Sequence, residues 1–469
     1  MKVIGPLFFD DLREELDRLK ARRDGGKRAA LLAFQEKLGS LNFFDPACGC
    51  GNFLVVTYRE LRKLEQEALE LIHDVNSPQL LEVEALSVVK LNQFYGIELE
   101  EFPAHIAEVA MWMTEHLANI ELGRTFGKVF ADIPLNDSAS IVHGDALEVE
   151  WEDVLPASEC FAVMGNPPFV GAKYQSPEQR QQVRDLADLG KSGGTLDFVC
   201  AWFLKAGAYA KTAADRHAEL GSASIAQPNA EVPDERTTLK QVQGDEEIKV
   251  PRIGFVSTNS ITQGEQVAQL WPVLFDRYGL EIDFAHRTFA WGSDARGKAV
   301  VHVVIIGLAH RDFERAEKRL FSYDDVKGEP DETRHKALSP YLFGADSVAN
   351  RHLVVREESR PINEAKKLRF GSQPIDGGHL ILSPEEGSKI LSQTQGLIKF
   401  VRPFFGFKRV HQWCRAIHPF VAKGSTQHFA STRSKGTPQT RSRCSARKQT
   451  FGDSRTRANA SRIRIHHDS

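Results

Sequence analysis

A short strand, a glycine-containing turn and the start of a helix follow one another directly in residues 41–54, LNFFDPACGCGNFL. Glycines at such a turn let the backbone come close to a ligand, and unpaired N–H groups at a helix start favour a carboxylate or phosphate. The turn follows neither the GxGxxG dinucleotide pattern nor the GxxxxGK[ST] phosphate loop. The segment therefore predicts an α/β fold in which this turn is a cofactor loop.

Composition sets the outer bounds. A chain of 469 residues is long enough for two or three domains, and its 41% hydrophobic content is ordinary for a globular protein. No apolar run approaches the roughly 20 residues of a membrane span, so we expect a cytoplasmic protein without a membrane partner. The six cysteines form no paired CxxC clusters, which indicates neither a disulfide framework nor a metal site. The net charge of −3 leaves nucleic-acid binding open, because enzymes that act on DNA often confine positive charge to one cleft.

Helices and strands alternate around the cofactor loop. Residues 8–38 carry apolar positions at helical spacing and predict two amphipathic helices. Phe94–Leu99 reads as a second strand that ends in an acidic residue, Glu98. In nucleoside-binding doubly wound folds, such a residue accepts hydrogen bonds from both ribose hydroxyls. The helix predicted for 104–117 is expected to turn Ile106, Val109, Ala110 and Met113 towards the sheet, and 141–147 predicts a third strand turning at Gly144–Asp145.

The tetrapeptide Asn166-Pro167-Pro168-Phe169 follows an apolar strand, 160–164. Two adjacent prolines stiffen the backbone, so the asparagine side chain is presented in one orientation beside an aromatic ring. Its carbonyl oxygen and a neighbouring backbone carbonyl can accept hydrogen bonds from an exocyclic amine, while Phe169 stacks on the ring that carries it. The alternative is an ordinary proline-rich turn after a strand.

Four segments carry a family resemblance. The sequence DPACGCGNF at 45–53 resembles motif I of the adenine-specific DNA methyltransferases, with Cys50 where Ser is usual. Asn-Pro-Pro-Phe resembles the catalytic motif of amino-methylating DNA methyltransferases. The blocks at 368–380 and 401–406 resemble the target-recognition region of the MmeI group of type II restriction-modification enzymes. With the motifs in this order, the chain resembles the gamma class of amino methyltransferases.

The resemblance implies a role for each site residue. Asn166, Pro167, Pro168 and Phe169 would be catalytic, and the cofactor would be S-adenosyl-L-methionine. Asp197, before an apolar helix, would help to shape the pocket, although it also reads as the N-cap of that helix. Phe289 or Trp291 could form a second face for base stacking, with Arg296 and Lys298 on DNA phosphates. The implied cofactor-binding residues are Asp45, Pro46, Ala47, Gly49, Gly51, Asn52, Phe53, Glu98, Asp145 and Asp197.

The implied fold is a Rossmann-like class I S-adenosylmethionine-dependent methyltransferase, with a mostly parallel seven-stranded sheet, a terminal antiparallel hairpin and a partial target-recognition domain. Low apolar content predicts that 212–247 is a disordered insertion and that the tail is disordered or frameshifted. The predicted organisation is an N-terminal helical segment at 1–40, a catalytic domain at 41–320, a partial recognition region at 321–406 and a tail at 407–469.

The resemblance implies methyl transfer to N6 of adenine in double-stranded DNA. Separate restriction or specificity components remain open as partners. Against the family pattern, we expect the chain to be truncated at both ends. It begins too late for the usual Tyr-Thr-(Ser or Pro)-Glu segment and lacks the upstream nuclease domain, and its recognition domain is expected to be cut short after Gly406. Two alternatives therefore stay open: an inactive remnant that keeps the fold and cofactor affinity, and methylation of a protein glutamine or RNA.

Overall fold

A computed structural model describes most of the chain. Contacts divide the chain into two units, Met1–Arg360 and Pro361–Ser469. The described residues are 1–73, 87–126, 138–190, 192–225, 250–291, 301–356, 383–393, 401–405 and 415–419.

A nine-stranded mixed sheet, counted over the described residues, organises the first unit. Its order is β3-β2-β1-β4-β5-β7-β6-β8-β9. Strands β1 to β5 are parallel to one another, and β7 runs antiparallel between β5 and β6. The strands are β1 Asn42–Asp45, β2 Phe94–Glu98, β3 Ser140–His143, β4 Cys160–Gly165, β5 Arg252–Thr258, β6 Leu280–Trp291, β7 Val301–His310, β8 Lys318–Ser322 and β9 Asp331–His335.

The first seven strands confirm the predicted α/β sheet and its antiparallel hairpin. The sheet differs by two further strands at one edge, where β8 pairs in parallel with β6 and β9 pairs antiparallel with β8. Strand β8 lies at the predicted end of the catalytic domain, and β9 lies inside the segment assigned to the recognition region. Charged residues dominate β9, DETRH, and its outer position suits them because an edge strand is solvated.

Helices cover both faces of the sheet. One hydrophobic core includes Leu16, Leu31 and Leu61 from the first three helices, and the other includes Phe203 and Trp271. No helix in the described residues is long and apolar enough to cross a membrane. The helices of this unit are α1 Asp10–Ala21, α2 Lys27–Gly39, α3 Asn52–Ile72, α4 Glu101–Thr125, α5 Trp151–Val154, α6 Pro177–Ala187, α7 Cys200–Ile225 and α8 Glu265–Pro272.

The orientation predicted for helix α4 is wrong. Ile106, Val109 and Met113 are 37%, 48% and 58% exposed, whereas Ala107 and Met111 are fully buried. The helix is apolar on more than one side, so its periodicity did not identify the side that meets the sheet. The small side chain of Ala107 lets helix α4 approach the loop that contains Gly51. A Cβ on Gly51 would lie 3.1 Å from the Ala107 Cβ.

The predicted disordered insertion begins too early. Helix α7 continues to Ile225, and Ala213 and Ala214 are buried. The segment 211–219, KTAADRHAE, consists largely of good helix formers, so a low apolar content did not prevent it from extending a packed helix. Residues 226–247 of the predicted insertion lie outside the described residues.

The described part of the second unit comprises one helix and one hairpin. Helix α9 spans Pro384–Gln393, and β10 Val401–Phe405 pairs antiparallel with β11 Arg415–Pro419. Strand β11 falls in the tail predicted to be disordered, so that prediction is wrong for these five residues, whose backbone groups find partners in β10. The predicted recognition block at 368–380 lies outside the described residues.

Candidate active site

The cofactor loop follows β1 directly. Gly49 and Gly51 have φ values of +55° and +79°, a region that side chains with a Cβ rarely adopt. The Gly51 N–H donates to the Cys48 carbonyl at 2.8 Å, and Gly51 starts helix α3. The predicted strand, glycine turn and helix are therefore present, with the exposed Asn52 at the helix start.

Asp45 ends β1 and is completely buried. Its Oδ1 accepts a hydrogen bond from the Ala47 N–H at 3.0 Å, whereas the buried Oδ2 has no partner among the described residues. Burial raises the pKa of Asp45 to about 8, and repulsion from Glu98 adds to the effect although the Ala47 N–H opposes it. An unpaired buried carboxylate oxygen suits a cationic ligand, because a positive partner would compensate its desolvation.

Glu98 lies at the end of β2, next to β1 in the sheet. Its Oε2 accepts from the Gly49 N–H at 2.8 Å, and its Oε1 accepts from the Glu100 N–H at 3.1 Å. These bonds join the acidic residue to the cofactor loop and fix its carboxylate. Each oxygen keeps a second lone pair, so the half-buried side chain can still accept the two hydroxyls of a ribose.

Asp145 follows β3, and the Gly144 N–H before it donates to the Glu98 carbonyl at 2.9 Å. Its Oδ1 accepts from the Leu147 N–H and its Oδ2 from the Gln182 Nε2, both at 2.8 Å. Gln182 lies on helix α6, and sequence reasoning did not single it out. Nothing in that polar segment marked the residue, because its contact with Asp145 depends on the tertiary position of α6 and not on the local sequence.

Asn166 is exposed at the end of β4, beside the cofactor loop. Among the described residues, its side-chain amide makes no hydrogen bond within the protein, so it is available to a ligand. Pro167 is buried, Pro168 is exposed, and Phe169 is half-buried between the two hydrophobic cores. The backbone just before the motif touches the cofactor loop, since a Cβ at Gly165 would lie 2.7 Å from the Asp45 Oδ1.

Asp197 anchors the loop that follows the Asn166–Phe169 motif. Its Oδ1 accepts from the Ala172 N–H at 3.0 Å, and its Oδ2 accepts from Thr258 at 3.3 Å and from Ser260 through a short hydrogen bond. The side chain is 8% exposed. Asp197 therefore joins the loop after β4 to the carboxyl end of β5 and the turn that follows it. Its predicted contact with cofactor stays a prediction.

Two aromatic residues support the cofactor loop from opposite sides. The Trp202 Nε1 donates to the Pro46 carbonyl at 3.0 Å. Phe53 is half-buried against the core that contains the first three helices. Pro46 is buried and Ala47 is half-buried, so the loop rests on packed side chains over most of its length.

The second stacking face predicted at the hairpin is not formed by Phe289. This ring is buried, and its centroid lies 5.0 Å from that of Tyr323 in a stacked arrangement. The Phe289 ring is part of the apolar core and is not exposed to a ligand. Trp291, the other candidate, is half-buried. Arg296 and Lys298 lie outside the described residues. No group of three or more His, Cys, Asp or Glu in the described part of the chain could hold a metal ion.

Two protein-family models match the chain. The MmeI DNA-methyltransferase domain matches residues 20–233 and 240–322, and the MmeI target recognition domain matches 349–462. The second match continues past residue 406, where the sequence resemblance was expected to stop.

Individual proteins agree with these matches. DNA methyltransferase A of Bacillus subtilis (strain 168) is 35% identical over 411 residues, which are 87% of this chain and 40% of that protein. The structure of the type IIL restriction-modification enzyme MmeI in complex with DNA has 38% sequence identity and a TM-score of 0.70, covering 90% of this chain and 50% of that one. The chain thus spans half or less of the length of these two relatives. The structural match confirms the α/β methyltransferase fold, and the chain belongs to the MmeI DNA-methyltransferase family.

Proposed function

We propose that this chain methylates N6 of adenine in double-stranded DNA, with S-adenosyl-L-methionine as the methyl donor. The carrying observation is that the carboxyl ends of four neighbouring parallel strands bring together the buried Asp45, the Glu98 carboxylate, Asp145 and the exposed Asn166. In open α/β sheets, ligands bind at this edge. Because the proposed substrate is DNA, we also propose a cytoplasmic location.

The residues present fit the cofactor in charge and in hydrogen-bonding capacity. The unpaired Oδ2 of Asp45 would accept a hydrogen bond from the α-ammonium group, and the backbone N–H groups of the loop would face the α-carboxylate. Glu98 would accept hydrogen bonds from the ribose hydroxyls, and Asp145 would accept one from the amino group of the cofactor adenine. When bound, S-adenosylmethionine supplies an electrophilic methyl group on a sulfonium.

The tetrapeptide 166–169 would hold the target base after it is flipped out of the duplex. The Asn166 side-chain oxygen and the Pro167 carbonyl would each accept a hydrogen bond from one N–H of the exocyclic amine, and Phe169 would contact the ring. These two acceptors hold the nitrogen lone pair out of conjugation with the ring, where it is nucleophilic. Positioning and hydrogen bonds that strengthen as the amine becomes pyramidal supply most of the catalysis.

DNA as the substrate is supported by the family. The structure of MmeI that resembles this chain is a complex with DNA. The model of the MmeI target recognition domain matches residues 349–462 of this chain. Adenine rather than cytosine follows from the resemblance of the 45–53 loop to adenine-specific enzymes. Separate restriction or specificity components would be further partners.

The test combines two measurements on the full chain. Calorimetry measures S-adenosylmethionine binding, and tritium transfer to mixed genomic DNA, followed by nucleoside analysis, measures the product. We expect binding, incorporation as N6-methyladenine, and loss of incorporation with unchanged cofactor affinity in Asn166→Ala. Asn92→Ala is the control, because Asn92 is exposed in the turn that precedes β2, at the opposite end of that strand. Cofactor binding without incorporation would identify a remnant, and N4-methylcytosine would overturn the assignment to adenine.

A further inference from the structure

Tyr174 projects into solvent five residues beyond the Asn166–Phe169 motif. It is 86% exposed, more than any other large apolar or aromatic side chain in the described residues. The adjacent Lys173 is also exposed. A ring in water loses the stacking and burial that aromatic side chains usually contribute, so nothing within the described fold accounts for a tyrosine at this position.

The backbone that carries Tyr174 is fixed on both sides. The Phe198 N–H donates to the Val170 carbonyl at 2.9 Å, and the Ala172 N–H donates to Asp197. On the other side, the buried Gln175 donates through its Nε2 to the Leu196 carbonyl at 2.8 Å.

Two further bonds complete the loop. The Tyr174 N–H donates to the Gly171 carbonyl at 2.8 Å, and the Arg180 Nη2 donates to the Ala172 carbonyl at 3.1 Å. The exposed ring therefore stands on an ordered loop, and ordering that loop adds little entropic cost when a ligand binds the ring.

The position limits what the ring can reach. Tyr174 lies five positions after Phe169, so their Cα atoms are at most about 18 Å apart. Successive bases of one DNA strand are about 3.4 Å apart along the axis, which puts Tyr174 within a few base steps of a base held at Phe169. A flipped nucleotide leaves an unstacked gap in the duplex between the two bases that flank the target.

We propose that Tyr174 stacks on the DNA beside the target adenine, in the gap that the flipped base leaves, with Lys173 on an adjacent phosphate. This inference rests on the proposed methyltransferase function. Stacking on an aromatic side chain does not depend on base identity, so the residue would support flipping at every recognised site without reading the sequence. Phe169 already provides a ring for the target base itself, which leaves the neighbouring bases for Tyr174.

The first experiment is photocrosslinking of the full chain to genomic DNA in which 5-iodouracil replaces part of the thymine. We expect a cross-linked peptide that contains Tyr174, its retention in Tyr174→Phe and its loss in Tyr174→Ala. This readout needs no methyl transfer, so it separates failure of this inference from failure of the proposed function. A chain that binds the DNA but cross-links only through other residues would overturn this inference alone, whereas a chain that does not bind the DNA would overturn the proposed function together with it.

The second experiment is steady-state tritium transfer to sheared genomic DNA. Tyr174→Ala should raise the KM for DNA about five- to hundredfold, as expected for the loss of one stacking contact, while the Kd for cofactor stays unchanged. Tyr174→Phe should behave like the parent. Leu117→Ala is the control, because Leu117 is also exposed, at 63%, but lies towards the far end of α4. Loss of cofactor affinity in Tyr174→Ala would assign the ring to the cofactor site instead.

Discussion

The carboxylate of Asp45 lies directly against the backbone of Gly165, the residue before Asn166. A Cβ at position 165 would come within 2.7 Å of the Asp45 Oδ1, closer than real Cβ contacts allow. Strands β1 and β4 pair in parallel, so their carboxyl ends are adjacent. The cofactor loop follows one strand and the proposed catalytic motif follows the other, and this contact joins them. Glycine at 165 lets the two parts of the site approach each other.

Gly165→Ala should therefore weaken cofactor binding at least about tenfold, because the added methyl group would displace the Asp45 carboxylate. Overpacking of this kind also costs roughly 1–3 kcal/mol of stability. Calorimetry and thermal unfolding measure the two effects. Gly25→Ala, in the turn between α1 and α2, is the control, since its Cβ would meet no atom within 4 Å. Equal cofactor affinity in the two variants would mean that the contact does not shape the site.

The pKa of Asp45 predicts a pH-dependent stability. Burial raises this pKa to about 8 in the folded chain, whereas an unfolded aspartate titrates near about 4. Between these values the folded state binds more protons than the unfolded state, so the Asp45 contribution to stability falls as pH rises. Asp45→Asn cannot ionise, and its Tm should gain on that of the parent as pH rises from about 5 to about 8.5.

The difference between variant and parent is the quantity to follow, since other groups also titrate. Asp153→Asn, at an exposed position on α5, serves as the control and should track the parent across the range. A constant difference between Asp45→Asn and the parent would show that Asp45 is ionised in the folded protein throughout.

Glu98 should govern cofactor affinity. Glu98→Ala removes the acceptor of the Gly49 N–H and the proposed acceptor of two ribose hydroxyls. Hydrogen bonds to a charged group contribute roughly 1.5–3 kcal/mol each, so the Kd for S-adenosylmethionine should rise at least about tenfold. Glu100→Ala is the control, because only its backbone N–H contacts Glu98. Unchanged affinity in Glu98→Ala would remove this residue from the cofactor site.

Deletions should locate the true extent of the predicted insertion. Replacing 212–247 by a short Gly-Ser linker would remove the last turns of α7 and the buried Ala213 and Ala214, so this variant should melt below the parent. Replacing only 234–239, which lies between the two matched parts of the methyltransferase model, should leave the Tm unchanged. If all three proteins melt at the same temperature, the whole of 212–247 is dispensable, as the sequence predicted. A lower Tm for the 234–239 replacement would show that these six residues also contribute to stability.

Local patterns predicted the parts of the fold that depend on neighbouring residues. The sequence predicted the strand, glycine turn and helix around Asp45, and also the strands that precede Glu98 and Asn166, because each apolar run ends at a turn. These three residues lie together because parallel strands end at the same edge of a sheet. The orientation of α4 was not predictable from the sequence, since Met111 and Met113 are equally apolar and only packing decides which is buried.

Long-range hydrogen bonds were the second limit. The Gln182 contact with Asp145 joins positions 37 residues apart, and no pattern in the sequence marks such a pair. Phe289 was expected at a binding surface because it is an aromatic residue near a hairpin. Strands β8 and β9 extend the sheet beyond that hairpin, and the nearby Tyr323 covers the ring.

Asp197 offers a choice between two roles, loop anchor and cofactor contact. Its carboxylate accepts from the Ala172 N–H, Thr258 and Ser260, so Asp197→Ala would leave these donors without their acceptor and release the loop after Phe169. As a loop anchor, Asp197→Ala should lower kcat for DNA methylation at least about tenfold and leave the Kd for S-adenosylmethionine unchanged. Asp197→Asn should recover most of the activity, because its amide oxygen can accept from Ala172 while the two hydroxyls reorient to accept from its NH2 group. Tritium transfer and calorimetry on the three proteins measure both quantities, and circular dichroism checks that each is folded. If cofactor affinity falls as much as activity does in Asp197→Ala, Asp197 contacts the cofactor, as the sequence predicted.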